Sequence, residues 1–279
     1  MTAQAALAAG STLAGRHGQR VAVVIPALDE EAALPHVLRE IPAGSVDVVV
    51  VVDNGSRDRT AEVARAAGAL VVSEPRRGYG SACLAGIAAL VDERKAGREP
   101  RIGSALGPGD VIVFLDADHS DHSGELPLLV EPISSGRAHL VIGARRADEA
   151  SRSALTPQQR FGNALACTLM RILFGARHTD LGPFRAIRVD ALRHLCMRDR
   201  DYGWTVEMQL KARHARLDVI EVPVRYRARI GRSKISGTIA GSLRAGWKIL
   251  GWILVWRFSL LRPSVRLPRF PSRAPSAPR

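Results

Sequence analysis

The sequence predicts an α/β fold, an open and mostly parallel sheet covered by helices on both faces. Three observations carry that prediction. Short β-branched runs, Val21 to Pro26, Val46 to Val52 and Val111 to Leu115, recur at intervals too long for hairpins. Segments with helical periodicity lie between them, as in Leu34, Val37, Leu38 and Ile41. Acidic residues stand where two of the apolar runs stop, Asp53 and Asp116. In such sheets ligands bind outside the carboxyl ends of the strands, so these acids mark the edge where chemistry is expected.

The elements follow in order. Val21 to Pro26 reads as a buried strand and Leu34 to Ile41 as a helix, with Asp29, Glu30 and Glu31 placed ahead of it to suit its dipole. The strand ending at Asp53 leads to a helix from Thr60 to Ala67, capped by Ser56 or Asp58 and closed by Gly68. A strand from Ala69 to Ser73 and a small-residue helix from Gly80 to Val91 follow. Beyond the loop at 96–110, Val111 to Leu115 is a strand, Leu126 to Ile133 a helix and His139 to Gly143 a strand. The second half is less regular: a helix from Gln158 to Phe174, a turn and short strand from Asp180 to Ile187, a helix from Thr205 to Ala215 and a strand from Leu217 to Tyr226.

Composition narrows the partners. The chain of 279 residues carries 40 Lys+Arg against 27 Asp+Glu, a net charge of +13, which favours anionic ligands: nucleotide or lipid phosphates, an acidic membrane face or nucleic acid. Cys83, Cys167 and Cys196 form no CxxC pair, so neither a disulfide framework nor a structural zinc site is expected, and a reducing cytosol fits. Met1 to Gly15 lacks the basic start of a signal peptide, and no stretch reaches the about 20 apolar residues that span a bilayer. The Ile249 to Trp256 run, with Trp247 and flanking Lys248 and Arg257, suits a helix lying in a membrane interface, packed on the core or in an oligomer contact. The expected organisation is a lead-in at 1–19, a catalytic domain at 20–236, an amphipathic helix at 237–262 and a basic tail at 263–279, whose five Pro and four Arg come without an acid.

Asp116-Ala117-Asp118 is the strongest local signal. Carboxylates at i and i+2 of an extended chain point the same way and repel unless a cation lies between them. Mg²⁺ or Mn²⁺ takes such oxygen ligands when substrate phosphates complete the shell. Asp53 heads the turn Asn54-Gly55 and suits hydrogen bonding to a base or ribose. Arg76-Arg77-Gly78-Tyr79-Gly80 offers charge and close backbone approach to a phosphate.

Taken in order, Pro26-Ala27-Leu28-Asp29-Glu30, Asp53 to Thr60, Gly78-Tyr79-Gly80 and Asp116-Ala117-Asp118 resemble the family 2 inverting glycosyltransferases, and more closely their dolichyl-phosphate mannose synthase-like branch. The likeness covers most of residues 20–235 and continues in Gly143-Ala144-Arg145, in Asp180 to Arg185 and in Arg229-Ile230-Gly231-Arg232-Ser233-Lys234. It implies a GT-A fold, which is Rossmann-like, a nucleotide diphosphate-sugar donor of the GDP-mannose or UDP-glucose type, and a divalent metal.

Carried over by position, Pro26, Glu30 and Asp53 contact the nucleoside, Asp116 and Asp118 hold the metal on the diphosphate with Ser120 nearby, and Arg145, Arg229 and Lys234 of the later matches serve the donor diphosphate or an acceptor phosphate, beside Arg76, read from its charge alone. Leu28-Asp29 stands where the family often has Tyr-Asn, and Asn54 where it often has a second Asp, which leaves uracil and guanine both open. The implied acceptor is a polyprenyl phosphate, at the cytoplasmic face of a membrane. A phosphate is already anionic at neutral pH and needs no protein base, whereas a sugar hydroxyl needs one, for which Glu207 and Asp180 are the candidates. A small phosphorylated or sugar acceptor, or nucleotidyl transfer, are the enzymatic alternatives. A nucleic-acid-binding module is disfavoured, because no aromatic-interleaved RNA motif or recognition helix accompanies the charge.

Overall fold

The computed structural model describes residues 18–91, 105–145 and 149–231, together with Gly251, Ile253 and Phe270. Seven strands form one sheet: β1 (Val21–Ala27), β2 (Val48–Asp53), β3 (Leu70–Ser73), β4 (Val111–Phe114), β5 (Leu140–Arg145), β6 (Arg185–Arg188) and β7 (Val219–Val224). Their spatial order is β3-β2-β1-β4-β6-β5-β7. All run parallel except β6, which lies antiparallel to both β4 and β5. The expected sheet is therefore present, with one reversed strand in its middle.

The near-continuous valine runs are explained by burial on both faces. In β1, Val21, Val23 and Ile25 belong to one hydrophobic cluster and Ala22 and Val24 to another, as alternation across a pleat requires. The first cluster takes in α1 (Leu34–Glu40), α2 (Thr60–Ala66) and α4 (Leu126–Ser134). The second takes in α3 (Tyr79–Val91), α7 (Val189–Leu195) and α8 (Trp204–Ala215). Gly86 of α3 is needed here, because a Cβ would lie 2.5 Å from the Val24 side chain. The remaining helices are α5 (Glu149–Ala154) and α6 (Pro157–Phe174). Thr156 and Gln159 form a capping box at the start of α6, and Gly175, at φ +66°, ends it. A third cluster joins α6 to α8 through Met170, Val206 and Leu210, and Ile253 is buried in it.

Register places the polar strand ends together. Ala27 stands beside Asp53, and Phe114 beside Val24, so Asp116 comes level with Pro26. The helix α7 and the 3₁₀ turn Ser123–Glu125 were not expected from the sequence. Of the segment 237–262 only Gly251 and Ile253 are described; the tryptophans read as an interfacial set lie outside the described residues. No described helix is long and apolar enough to cross a membrane.

Candidate active site

The carboxyl edge of the sheet opens into a cavity of about 470 Å³ whose lining includes Pro26, Glu30, Asn54, Arg77, Asp116, Asp118, Asp201, Tyr202 and Arg229. That is within the usual size of small-molecule sites. Its floor is the segment after β4. Asp118 accepts from the Ser120 amide through Oδ1 (2.9 Å) and meets the Arg229 guanidinium through Oδ2 (2.5 Å). The same guanidinium reaches Glu30 at 3.7 Å. The Ile230 amide donates to the Asp118 carbonyl (3.0 Å), which fixes Arg229 over the floor.

Asp116 is different. Its Oδ1 is buried and has no hydrogen-bond partner among the described residues. Burial, and then the neighbouring charge of Asp118, push its carboxyl up to about 7. Arg229 works against that rise, and so does Tyr79, whose hydroxyl leans on the carboxylate without a partner of good geometry. A bare buried carboxylate oxygen beside a second carboxylate is a donor set suited to a hard divalent cation. Among the described residues no group of three or more His, Cys, Asp or Glu forms a metal cage, so the rest of a coordination shell there would have to come from a bound phosphate or water.

The β1–α1 loop forms one wall. Its acids do not serve the helix dipole as expected, and the first turn of α1 holds no acid. They stitch this loop to the one after β2 instead. Asp29 accepts from the Arg57 amide (2.6 Å) and Glu31 from the Arg59 amide (3.0 Å). In return the amides of Asp29, Glu30 and Glu31 donate to Ser56, Thr60 and Asp58. Asp29 takes φ +52° to do so. Asp53 turns back on its own loop, accepting from the Ser56 amide (2.9 Å), and its neighbour Asn54 faces the cavity in its place.

Asn54 also decides between the two arginines at 76 and 77. Its amide nitrogen holds the carbonyls of Glu74 and Arg76 (2.8 Å each), and its oxygen accepts from the Gly78 amide (2.8 Å). The turn so pinned puts Arg77 on the cavity, bonded to the Gly55 carbonyl, and leaves Arg76 exposed and outside it.

Gly78 lines the cavity, where backbone open to a ligand was expected, and both glycines have a second contact. A Cβ at either would lie 2.1 or 2.2 Å from the carbonyl oxygen of Arg200 or Asp199. The glycines admit the 199–201 loop, whose carbonyls accept from the Gly80 and Ser81 amides at the start of α3. Asp201 and Tyr202 thereby join the cavity wall.

Glu207 lies behind this loop and does not line the cavity. It is fully buried, accepts from the amides of Arg198 and Asp199, and pairs with Lys211 at 2.7 Å. Arg145 is likewise committed elsewhere. Its side chain forms a fork with Asp180, which also accepts from the Arg145 amide (2.8 Å). Burial lowers the Arg145 pKa, but the bonds to Asp180 outweigh it and raise the value overall. Arg145 lies 5.2 Å from the Tyr226 ring; the Tyr226 backbone pairs antiparallel with that of Asp121, whose buried carboxyl is raised well above its ordinary value by desolvation. Arg185 is also buried, donating to the carbonyls of Gly182 and Thr205. Of the expected site residues, then, Pro26, Glu30, Asp116, Asp118 and Arg229 converge, while Asp53, Arg76, Arg145 and Glu207 stand outside the cavity lining; Lys234 lies outside the described residues.

A nucleotide-sized cavity at the carboxyl edge of this sheet, with a strand-end carboxylate pair on its floor, defines a nucleotide-sugar glycosyltransferase of the GT-A fold. Residues 22–196 match glycosyl transferase family 2, and the chain belongs to that family. It is 38% identical over 237 residues to an uncharacterized glycosyltransferase of Mycobacterium tuberculosis, covering 84% of this chain and 99% of the relative. It is 30% identical over 260 residues to the undecaprenyl-phosphate mannosyltransferase of Micrococcus luteus, covering 89% of this chain and 100% of that one. Among solved structures it resembles glucosyl-3-phosphoglycerate synthase from Mycobacterium tuberculosis in complex with Mn²⁺, UDP-glucose and phosphoglyceric acid. The TM-score is 0.64 and the identity 26%, covering 86% of this chain and 81% of the other.

Proposed function

We propose that this glycosyltransferase moves a hexosyl group, with inversion, from a nucleotide diphosphate-sugar to a polyprenyl phosphate, with Mg²⁺ or Mn²⁺ held by Asp116 and Asp118. The observation that carries the metal assignment is the buried, partnerless Oδ1 of Asp116 beside Asp118. Bound there, the metal supplies positive charge to the departing diphosphate. Arg229 and Arg77 add fixed positive charge on the same cavity, aimed where negative charge grows in the transition state. Pro26 and Glu30 on the β1 side receive the nucleoside, and Asn54 takes the place that Asp53 vacates.

The acceptor assignment draws on the likeness to a mannosyltransferase that acts on undecaprenyl phosphate, which extends over all of that relative. It also agrees with the site. Glu207 is held by two amides and a lysine, and Asp180 by Arg145, and neither lines the cavity, whereas a phosphate nucleophile needs no base. A small phosphorylated acceptor is the second reading, favoured by the likeness to the phosphoglycerate-utilising synthase.

The test is incubation with GDP-mannose and UDP-glucose, Mn²⁺ and either a polyprenyl phosphate or 3-phosphoglycerate, followed by mass analysis of products. A glycosylated polyprenyl phosphate is the expected result. Turnover of the soluble acceptor alone selects the second reading.

A further inference from the structure

We propose that the outward face of α6 is a docking surface for an anionic lipid bilayer, an inference that rests on the lipid-borne acceptor proposed above. Phe161 and Ile172 are 70% and 72% exposed, the two most exposed large apolar side chains among the described residues. Both are on α6, eleven residues apart. At roughly 3.6 residues per turn that separation is close to three whole turns, so they share one face. Half-buried Leu165 and exposed Thr168 fall between them on the same stripe. The opposite side of α6 packs Ala166 and Met170 into the third core cluster. The helix is therefore apolar on both sides, although only one side packs into a core cluster of the described residues.

Charge identifies the occupant. Residues 150–179 contain four arginines, Arg152, Arg160, Arg171 and Arg177, and no Asp or Glu. Arg160, Arg171 and Arg177 are exposed. Large apolar side chains on a helix that itself carries Arg160 and Arg171 and no acid match an interface of acyl chains under anionic headgroups. A protein partner of ordinary composition would bring no such bias.

The position suits an acceptor held in a membrane. Asn163 of α6 accepts from the Leu181 amide (2.9 Å) and donates to the Thr179 carbonyl (3.2 Å). These bonds tie the helix to the loop that carries Asp180 and, through it, Arg145 at the carboxyl end of β5. A bilayer against α6 would thus adjoin the catalytic edge of the sheet, and the docked helix would leave the cavity reachable from the lipid phosphates.

The test is flotation of the full chain with vesicles of phosphatidylglycerol and phosphatidylcholine, and with phosphatidylcholine alone. The chain is expected to float with the anionic vesicles and much less with the neutral ones. Phe161→Glu combined with Ile172→Glu should reduce partitioning by about tenfold or more, given the apolar area two such side chains bury. Phe161→Leu with Ile172→Leu should float like the parent. Melting temperature and UDP or GDP binding should be unchanged in both. Three results would overturn the proposal: a parent chain that stays at the bottom of the gradient, a double-Glu variant that floats as well as the parent, or a parent dimer that this variant dissociates. Flotation requires no turnover, so a chain that floats but glycosylates no polyprenyl phosphate leaves the surface standing and removes the acceptor assignment.

Discussion

The guanidinium of Arg229 sits 2.5 Å from Asp118 Oδ2, with Glu30 at 3.7 Å on its other side, so a side chain supplies positive charge at the acidic floor. It pairs with a carboxylate that a metal would also use. Replacing it with a neutral side chain should therefore tighten metal binding to the donor-free protein while weakening transfer. For Arg229→Gln, titration calorimetry with Mn²⁺ should give a gain on the order of tenfold, the scale of one charged hydrogen bond, with kcat reduced. Equal or weaker Mn²⁺ binding in the variant would refute the competition. Asp118→Ala, and EDTA on the parent protein, should each abolish transfer; full turnover in metal-free buffer would remove the metal from the mechanism.

Asp116 should make the protein less stable as the solution becomes alkaline. Its folded-state value, about 7, lies above the 3.8 of an unperturbed aspartate. Stability contributed by the neutral form is complete below the lower value and lost as pH rises through the higher one. Asp116→Asn removes the ionisable group, so in chelator it should raise the melting free energy at pH 8 by on the order of 1 kcal/mol or more, with little effect at pH 4. The same variant should be inactive. A pH-independent difference, measured by urea unfolding across that range, would contradict the assignment.

Gly78→Ala and Gly80→Ala test the loop contact. Each added methyl would meet a backbone carbonyl at close to 2 Å, and backbone cannot yield as a flexible side chain does. A destabilisation of about 2–3 kcal/mol is expected, the scale of an overpacked site. Donor affinity should fall too, because Asp201 and Tyr202 move with the loop. Wild-type stability and affinity in both variants would show that the 199–201 segment adapts freely.

Glu207 separates positioning from proton transfer. Glu207→Ala leaves Lys211 buried without its partner and frees two amides, a loss of about 3–5 kcal/mol. Glu207→Gln keeps one acceptor oxygen, should lose less, and should retain kcat with a phosphate acceptor while donor KM rises. If kcat collapses in a folded Glu207→Gln protein that still binds donor, the carboxylate acts as a base and the acceptor is a hydroxyl.

What the sequence made legible is what local pattern controls. The valine runs specified buried parallel strands, and the acids directly after β1 and β4 converged because adjacent parallel strands finish at one edge. Choices made by distant partners were hidden. Arg77 rather than Arg76 faces the cavity because Asn54, more than twenty positions earlier in the chain, holds the turn. Asp53 and Arg145 were placed by strand-end position, but the first bonds its own loop and the second Asp180. The contact of the Gly-Tyr-Gly segment with the 199–201 loop was not foreseen because its partners come from more than a hundred positions away. The apolar stripe on α6 was hidden for a related reason: periodicity alone cannot tell a face that meets protein from one that meets something else.

The reversal of β6 decides which of its flanks evolution can edit. Because this strand travels the opposite way from its neighbours, the residues leading into it, Asp180 to Phe184, come from the catalytic edge of the sheet, and the helix directly after it, Val189–Leu195, starts at the far edge. For the other six strands the order is the other way round. A graft or insertion placed after Arg188 would sit a full sheet-length from the chemistry, whereas the same change after any neighbouring strand would land on it.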